Sequence, residues 1–320
     1  MNREIAQDIF DIVGSVSEAL GNTLNVSSLR TIARPDGKED VKDATLAFFV
    51  DGKARVDDIV LLLSNPVFPD TVMEDVDKAS AIRELLDPEI AQHINRPQKV
   101  GTYGQQSYAV YARLDTVSDN KFIRIPQRHR VAPDIVSWSA RLAAQTRISR
   151  KGTPDFAGYF IDPLQSILED SDAPEDFRAL AGQCLDFVSS ADRDFFTTVE
   201  HGDFWIGNVL FERKMFSGLS PILGDFFVID WRGARLDGYP CKDVVRFCRS
   251  LYGAESPRSG ALVKSYREAL GLCPFEMGLY CILSLGRLGA NLEFFPRPRY
   301  YALVQETILF LRAHGCTSVD

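Results

Sequence analysis

Residues 200–211, EHGDFWIGNVLF, contain the most informative combination of side chains in this chain. The stretch places a histidine, a glycine, an aspartate and an asparagine within eight positions, among aromatic and aliphatic residues. A segment that only built a core would not carry a carboxylate and an amide in so apolar a run, because buried polar groups need hydrogen-bond partners. We therefore interpret Asp203 and Asn208 as residues with a chemical task.

Two later segments carry carboxylates in comparable settings. In VIDW, residues 228–231, Asp230 ends an apolar strand, and in GYPCKDVVRF, residues 238–247, Asp243 enters a predicted helix. A carboxylate such as Asp203 can accept the proton of an attacking hydroxyl, while Asn208 and Asp230 offer oxygen ligands for Mg²⁺. Because phosphoryl transfer from a nucleotide needs both features, we expect these three side chains to meet at one cleft.

The three segments resemble the motifs H-G-D-x-x-x-x-N, I-D-W and G-x-P-x-x-D of the aminoglycoside phosphotransferase and choline kinase-like family. The resemblance implies the bilobal protein kinase-like fold. It also implies that Asp203 is the catalytic base and that Asn208 and Asp230 are the Mg²⁺ ligands. By the same resemblance, His201 is a structural member of the catalytic loop, and Asp243 anchors that loop through backbone N–H groups.

The composition indicates a globular protein of two lobes. The chain has 320 residues, of which 45% are apolar and 25% charged, and its formal net charge of −8 argues against a nucleic-acid partner. No apolar run approaches the length of a membrane helix, and the charged N-terminus does not resemble a secretory signal. We therefore expect a cytoplasmic protein without a membrane partner. The scattered cysteines predict buried, reduced thiols.

Hydrophobic periodicity divides the chain near residue 115. The first part predicts an N-terminal helix over 2–20, an antiparallel meander of three strands, a helix over 69–86 and a further strand. From about residue 133 the pattern is mainly helical around short β-like runs. The expected fold is α+β, with a small antiparallel-sheet, nucleotide-binding lobe in 1–115. A larger helical lobe in 116–320 would carry the catalytic and acceptor-binding residues.

The N-terminal lobe departs from the family pattern. Family members carry a Lys or Arg on the third strand to hold nucleotide phosphates, but the third strand here reads DDIVLLLS and has no cation. Four residues of nearby turns could substitute, or could be solvated turn residues: Lys38, Lys42, Lys53 and Arg55. A helix glutamate would pair with that cation. Glu74 and Glu84 are the candidates, and Glu84 is preferred. Without a partner cation, both would instead be exposed helix charges.

Acceptor contacts are indicated less directly. The segment KFIRIPQRHR, residues 121–130, concentrates basic residues, so Arg124 and Arg128 could bind an acidic acceptor. The alternative, which the sequence favours, is that the same segment is a solvated loop. Trp205, inside the predicted catalytic loop, could line the acceptor pocket or pack structurally.

The resulting hypothesis is a kinase that uses ATP or GTP with Mg²⁺ and transfers the terminal phosphoryl group to a small hydroxylated substrate. A sugar, an aminoglycoside or a choline-like alcohol would be the acceptor. The alternative is a pseudokinase-like module that senses nucleotides or binds proteins without transferase activity. The missing third-strand cation favours the module, whereas the complete set Asp203, Asn208 and Asp230 favours the enzyme. The sequence leaves the acceptor, the nucleotide and the oligomeric state open.

Overall fold

The computed structural model describes residues 11–14, 30–33, 46–51, 58–190, 192–212, 223–292 and 295–318. It divides into two compact units. Unit 1 comprises Met1–Glu84, Ala91–Val117 and Leu210–Arg232, and unit 2 comprises Leu85–Ile90, Ser118–Val209 and Gly233–Asp320. The expected division was into 1–115 and 116–320. In the structure, residues 85–90 group with unit 2, and residues 210–232 group with unit 1. Most of the expected helix over 2–20 lies outside the described residues, although 11–14 is helical.

Unit 1 is built on an antiparallel sheet of five strands. They are β1 (Arg30–Ala33), β2 (Leu46–Val50), β3 (Ile59–Leu63), β4 (Lys99–Tyr103) and β5 (Gln106–Ala112). Their order in the sheet is β1-β2-β3-β5-β4. The meander of the first three strands and the later strand β5 agree with the sequence pattern. Strand β4 was not predicted, because its sequence KVGTY lacks a regular apolar alternation.

The two faces of this sheet enter different apolar clusters. Ile59, Leu61 and Leu63 of β3 are buried in one core, together with residues of β2 and β5. Leu62 points to the other face and packs against a cluster that contains Val72. Since side chains alternate along a strand, a β3 residue on the face of Leu62 points toward the helix that follows.

That helix is α1 (Thr71–Glu84), and the short helix α2 (Pro88–Ala91) follows it. The helix predicted over 69–86 is therefore confirmed, with observed bounds of Thr71–Glu84. Strands β8 (Val209–Phe211) and β9 (Phe226–Val228) form a separate pair. The sequence analysis assigned this pair to the helical lobe. It groups instead with unit 1, because Phe211 bridges to Asp115 and β9 bridges to Ile94.

Unit 2 is mainly helical. Its helices are α3 (Lys121–Gln145), α4 (Phe156–Phe160), α5 (Asp162–Glu169), α6 (Glu175–Ser190), α7 (Lys242–Tyr252), α8 (Pro257–Ala269), α9 (Pro274–Gly289) and α10 (Arg297–Ala313). A small sheet holds β6 (Ile148–Ser149), β7 (Phe196–Glu200) and β10 (Arg235–Gly238) in the order β10-β7-β6. The antiparallel sheets and numerous helices confirm the α+β class.

Helix α3 corrects the interpretation of 121–130 as a loop. The segment forms the first part of this helix although Pro126 and Pro133 lie inside it. Its N-cap is Asn120, whose side chain accepts a hydrogen bond from Phe122 N at 3.0 Å. Downstream apolar residues, including Ile135 and Val136, are buried, so tertiary packing stabilises a helix that two prolines oppose locally.

All six cysteines are free thiols, and five of them are buried, as the sequence predicts. Among the described residues, no single helix is long and apolar enough to cross a membrane, although the bent pair α8 and α9 passes that test jointly.

Candidate active site

A sharp bend after β7 presents Asp203. Strand β7 is buried along its whole length, and the chain turns at Gly202, which has a φ of 85°. A Cβ atom at this glycine would lie 2.7 Å from the carbonyl oxygen of Gly233. Only glycine fits both the left-handed backbone and this close approach. The Asp203 side chain is 41% exposed, so it can reach a ligand from a rigid support.

Asp243, at the start of α7, holds this bend. Its carboxylate accepts hydrogen bonds from His201 N at 2.6 Å and from Gly202 N at 3.1 Å. These two contacts fix the backbone of the bend that carries Asp203. Burial and the charge of Glu200 raise the pKa of Asp243 to about 6, against the opposing effects of Lys242 and the two N–H groups.

Asn208 and Asp203 are direct neighbours within the loop. The Asn208 Nδ2 atom donates to the Asp203 carbonyl oxygen at 2.9 Å and to Asp203 Oδ2 at 3.3 Å. Ile206 N donates to Ser250 Oγ at 3.1 Å, which ties the same loop to α7. The buried His201 ring accepts a hydrogen bond from Asp203 N at 3.3 Å. The loop residues are thus fixed by several contacts within unit 2.

Arg246 is a site residue that the sequence analysis missed. Its guanidinium forms an ion pair with Asp203 Oδ1. Arg246 lies three residues after Asp243 on α7, and residues at this spacing share a face of a helix. That spacing was the available signal, because Asp243 was already placed beside the catalytic loop.

A buried ion pair beneath the loop was also missed. Lys242 Nζ lies 2.7 Å from Glu200 Oε1, and the Ser284 hydroxyl donates to the same oxygen at 2.6 Å. Tyr239 N donates to Glu200 Oε2 at 3.1 Å. Burial favours the neutral carboxyl, but Lys242 and these donors hold the pKa of Glu200 below its ordinary value. The charge of Glu200 likewise outweighs burial and raises the pKa of Lys242.

The candidate acceptor residues lie in different surroundings. Trp205 is 41% exposed, and its ring lies against Gly207 so closely that a Cβ atom there would overlap it. Arg128 donates to the carbonyl oxygen of Leu251 at 3.1 Å, near the C-terminal end of α7. Arg124 is half-buried on α3. Of these residues, Trp205 alone belongs to the loop that carries Asp203.

The residues proposed for nucleotide binding are only partly covered by the described structure. Glu84, the preferred helix glutamate, is exposed at the end of α1, and Glu74 is exposed as well. Strand β3 carries only apolar residues over Ile59–Leu63, so it supplies no cation. The candidate cations Lys38, Lys42, Lys53 and Arg55 lie outside the described residues.

Asp230 belongs to unit 1, two residues after β9. Its φ is 65°, which is uncommon for a residue other than glycine and marks a locally strained backbone. The next residue, Trp231, is buried and donates from Nε1 to the Val228 carbonyl oxygen at 3.1 Å. Because Asp203 and Asn208 belong to unit 2, the expected meeting of all three side chains stays a prediction.

The donor set fits Mg²⁺ in its chemistry. No group of three or more His, Cys, Asp or Glu side chains that could hold a metal occurs in the part of the chain that the structure describes. Mg²⁺ needs fewer protein ligands, since it keeps several waters and also binds substrate phosphates. The amide nitrogen of Asn208 faces Asp203, so its oxygen is the atom left for a cation.

Comparison of the sequence with protein-family models gave no match, and comparison with curated proteins gave none either. Solved structures do resemble this chain. One is described as a fructosamine-3-kinase from Haemophilus somnus 129PT, with 13% identity and a TM-score of 0.51. That alignment covers 94% of this chain and 96% of the other.

Two further structures are similar at lower scores. An aminoglycoside-3'-phosphotransferase of type VIII has 14% identity, a TM-score of 0.41 and coverage of 88% and 94%. A choline/ethanolamine kinase family protein from Mesorhizobium loti has 13% identity, a TM-score of 0.44 and coverage of 84% and 89%. The fold assignment rests on the first comparison. The chain has the protein kinase-like fold, as its motifs predict.

Proposed function

We propose that this protein is a phosphotransferase that moves the terminal phosphoryl group of ATP, or GTP, to a hydroxyl of a small molecule. The observation that carries the proposal is the placement of Asp203. Its carboxylate is exposed at a bend that Asp243 anchors through two backbone N–H groups. A base held in this way can meet an acceptor hydroxyl without reorganisation of the loop.

The chemical step assigns a role to the base. The Asp203 carboxylate takes the proton of the acceptor hydroxyl as its oxygen forms a bond to the terminal phosphorus. The bond between that phosphorus and the bridging oxygen breaks, and the nucleoside diphosphate leaves with the electron pair. The hydrogen bond from Asn208 Nδ2 orients the Asp203 carboxylate for this task.

Arg246 supplies the positive charge in our proposal. The segment from Asp203 to Asn208 contains no cation, although charge on the transferred group must be offset. The Arg246 guanidinium is already paired with Asp203, so it lies where the acceptor and the phosphoryl group would meet. Asn208 and Asp230 would hold Mg²⁺, which neutralises the phosphate oxygens when bound.

The acceptor class remains a sugar, an aminoglycoside or a choline-like alcohol, and we rank the uncharged sugar first. A guanidinium beside the catalytic base repels an ammonium group at the same position, so Arg246 disfavours a positively charged acceptor there. The exposed ring of Trp205, two residues from the base, offers an apolar face for such a substrate. Arg124 and Arg128 stay as secondary candidates for acceptor contacts.

The second candidate is a pseudokinase-like module that binds nucleotide or protein partners without transfer. The apolar composition of β3 favours it, because the phosphate-binding cation of the family is missing there. The intact arrangement of Asp203, Asn208 and Asp243 favours the enzyme, and we retain the enzyme as the conclusion.

The deciding experiment measures nucleoside diphosphate release with Mg²⁺ against a panel of sugars, amino sugars and amino alcohols. We expect acceptor-dependent turnover that falls at least about 10²-fold in Asp203→Ala, since loss of a general base typically costs 10²–10⁴. Asp134→Ala, an exposed aspartate of α3, serves as the matched control and should behave as wild type. Equal background turnover in wild type and Asp203→Ala across the panel, with nucleotide still bound, would favour the module instead.

A further inference from the structure

Helix α1 sends one carboxylate to the backbone that follows Asp230. The Asp75 side chain accepts hydrogen bonds from the backbone N–H groups of Trp231 and Arg232. Asp75 is the fifth residue of α1, so these bonds are not a cap of its own helix. All of these residues belong to unit 1. The contact therefore joins two parts of unit 1 that are more than 150 residues apart in sequence.

Two more contacts hold the same short segment. The Lys78 ammonium, one turn after Asp75 on α1, donates to the carbonyl oxygen of Arg232. On the other side, the indole of Trp231 donates to the carbonyl oxygen of Val228 at the end of β9. N–H groups, a carbonyl and a side chain of residues 231 and 232 are thus all engaged. We call Asp75 and Lys78 the α1 clamp.

The position of this clamp matters because of the backbone at Asp230. A left-handed conformation in a residue other than glycine costs free energy and persists only where the surroundings over-determine it. The clamp fixes the two residues that directly follow, so it limits the directions in which the Asp230 side chain can point. A carboxylate aimed in this way loses little freedom when it binds a cation.

We propose that Asp75 is a positioning residue for Asp230: it holds the N–H groups of Trp231 and Arg232 and so fixes the carboxylate that would ligate the nucleotide-bound metal. The inference rests on the proposed role of Asp230 as a metal ligand. It also explains how α1 contributes to the site although Glu74 and Glu84 are exposed and β3 offers no cation to pair with. In this chain the helix carboxylate acts on the backbone of the metal-binding segment.

The surroundings of Asp75 agree with such a role. Its Oδ1 atom is buried without a hydrogen-bond partner, a costly arrangement that a residue with no task would not be expected to keep. Burial raises the pKa of Asp75 to about 6, while the two backbone donors and Lys78 oppose that rise. The carboxylate is therefore ionised at neutral pH, and charged acceptors make the stronger hydrogen bonds to N–H groups.

The first measurement is amide hydrogen exchange over residues 229–233 in the metal-free full-length protein. We expect Asp75→Ala to accelerate exchange at Trp231 and Arg232 about tenfold or more, because each loses a charge-assisted hydrogen bond. Asp77→Ala, an exposed aspartate on the same helix, is the matched control and should exchange as wild type. Asp75→Asn keeps one acceptor oxygen, so its exchange rates at Trp231 and Arg232 should lie between those of wild type and Asp75→Ala.

The second measurement is the binding of a fluorescent ADP as a function of Mg²⁺ concentration. We expect the Mg²⁺ half-saturation point to rise about tenfold in Asp75→Ala, in the range typical for residues that orient metal ligands. It should rise more in Asp230→Ala and stay unchanged in Asp77→Ala. Near-ultraviolet circular dichroism of each variant shows that it is folded, and Asp75→Asn provides a milder variant if Asp75→Ala unfolds.

Two results would overturn the inference while leaving the proposed metal role of Asp230 intact. One is unchanged exchange at Trp231 and Arg232 in both Asp75 variants. The other is faster exchange together with a wild-type Mg²⁺ dependence, which would make Asp75 a structural residue only. A wild-type Mg²⁺ dependence in Asp230→Ala would refute the proposed metal role of Asp230 and with it this inference. The Asp230 variant thus separates failure of the metal role from failure of the positioning role of Asp75.

Discussion

Lys242 and Glu200 form a buried ion pair, with 2.7 Å between Nζ and Oε1. Glu200 ends β7 immediately before the loop that carries Asp203, and Lys242 begins α7 immediately before Asp243. The pair therefore connects the strand that delivers Asp203 to the helix that anchors it. Because both charges are almost fully removed from solvent, breaking the pair should change the free energy of unfolding measurably.

Removing one partner of this pair should be strongly destabilising. Glu200→Gln leaves the buried charge of Lys242 without its ion-pair partner, so we expect a loss of about 3–5 kcal/mol in the free energy of unfolding. Lys242→Met should cost a similar amount, and the double variant should recover much of the loss. Urea denaturation followed by circular dichroism measures all three. Single-variant losses below about 1 kcal/mol would contradict a buried charged pair.

Arg246 should contribute to the rate rather than to nucleotide affinity. We expect Arg246→Gln to lower kcat about 10²-fold, the usual effect of losing one group that stabilises transition-state charge, and Arg246→Lys to lower it less. Affinity for the nucleotide should stay within twofold in a direct binding assay. Arg249→Gln is the matched control, since Arg249 lies on the same helix and pairs with Glu306 at 2.8 Å. A kcat in Arg246→Gln equal to that of the control would remove Arg246 from the mechanism.

Gly207 should be required for the placement of Trp205. A Cβ atom at position 207 would overlap the indole ring, so Gly207→Ala must displace the ring or the loop. We expect a loss of about 1–3 kcal/mol, as for other overpacked sites. The double variant Trp205→Ala/Gly207→Ala should recover most of it, because the obstructing ring is then absent. Additive losses in this thermal-unfolding cycle would show that the two residues do not compete for space.

Asp75 should make stability depend on pH in a defined direction. Its pKa is raised from an ordinary 3.8 to about 6, so the folded chain binds a proton that the unfolded chain has released between these values. The contribution of Asp75 to stability is therefore greatest at low pH and declines as pH rises through this window. Asp75→Asn does not titrate, so its melting temperature relative to wild type should increase from pH 4 to pH 7.5.

The expected size of that change is about 1–2 kcal/mol, because the shift corresponds to roughly 3 kcal/mol at most and Asp75 is partly solvated. Asp77→Asn provides the control on the same helix and should leave the pH profile of wild type unchanged. A constant difference in melting temperature between wild type and Asp75→Asn across this range would contradict a raised pKa at Asp75.

Much of the fold was predictable because its signals are local. The continuous run of apolar and aromatic residues in β5 and the helical spacing in α1 and α7 are set by residues close in sequence. The short strand β4 and the helices α4 and α5 were not predicted, since each is too short or too irregular for a periodic pattern. The predicted helical region began near residue 133, whereas helix α3 begins at Lys121. Prolines and basic residues in 121–130 concealed this first part of the helix, which tertiary packing stabilises.

The motifs were enough to nominate the candidate catalytic and metal-binding side chains. Asp203 and Asn208 lie five positions apart, and Asp243 follows in a motif of fixed spacing, so their roles could be proposed before any coordinates. The contacts around these residues required coordinates: Asp203 pairs with Arg246, Glu200 with Lys242, and Asp75 with the backbone after Asp230. Such contacts depend on interatomic distances and burial, which are established only when the chain has folded. A charge pattern along the chain contains neither.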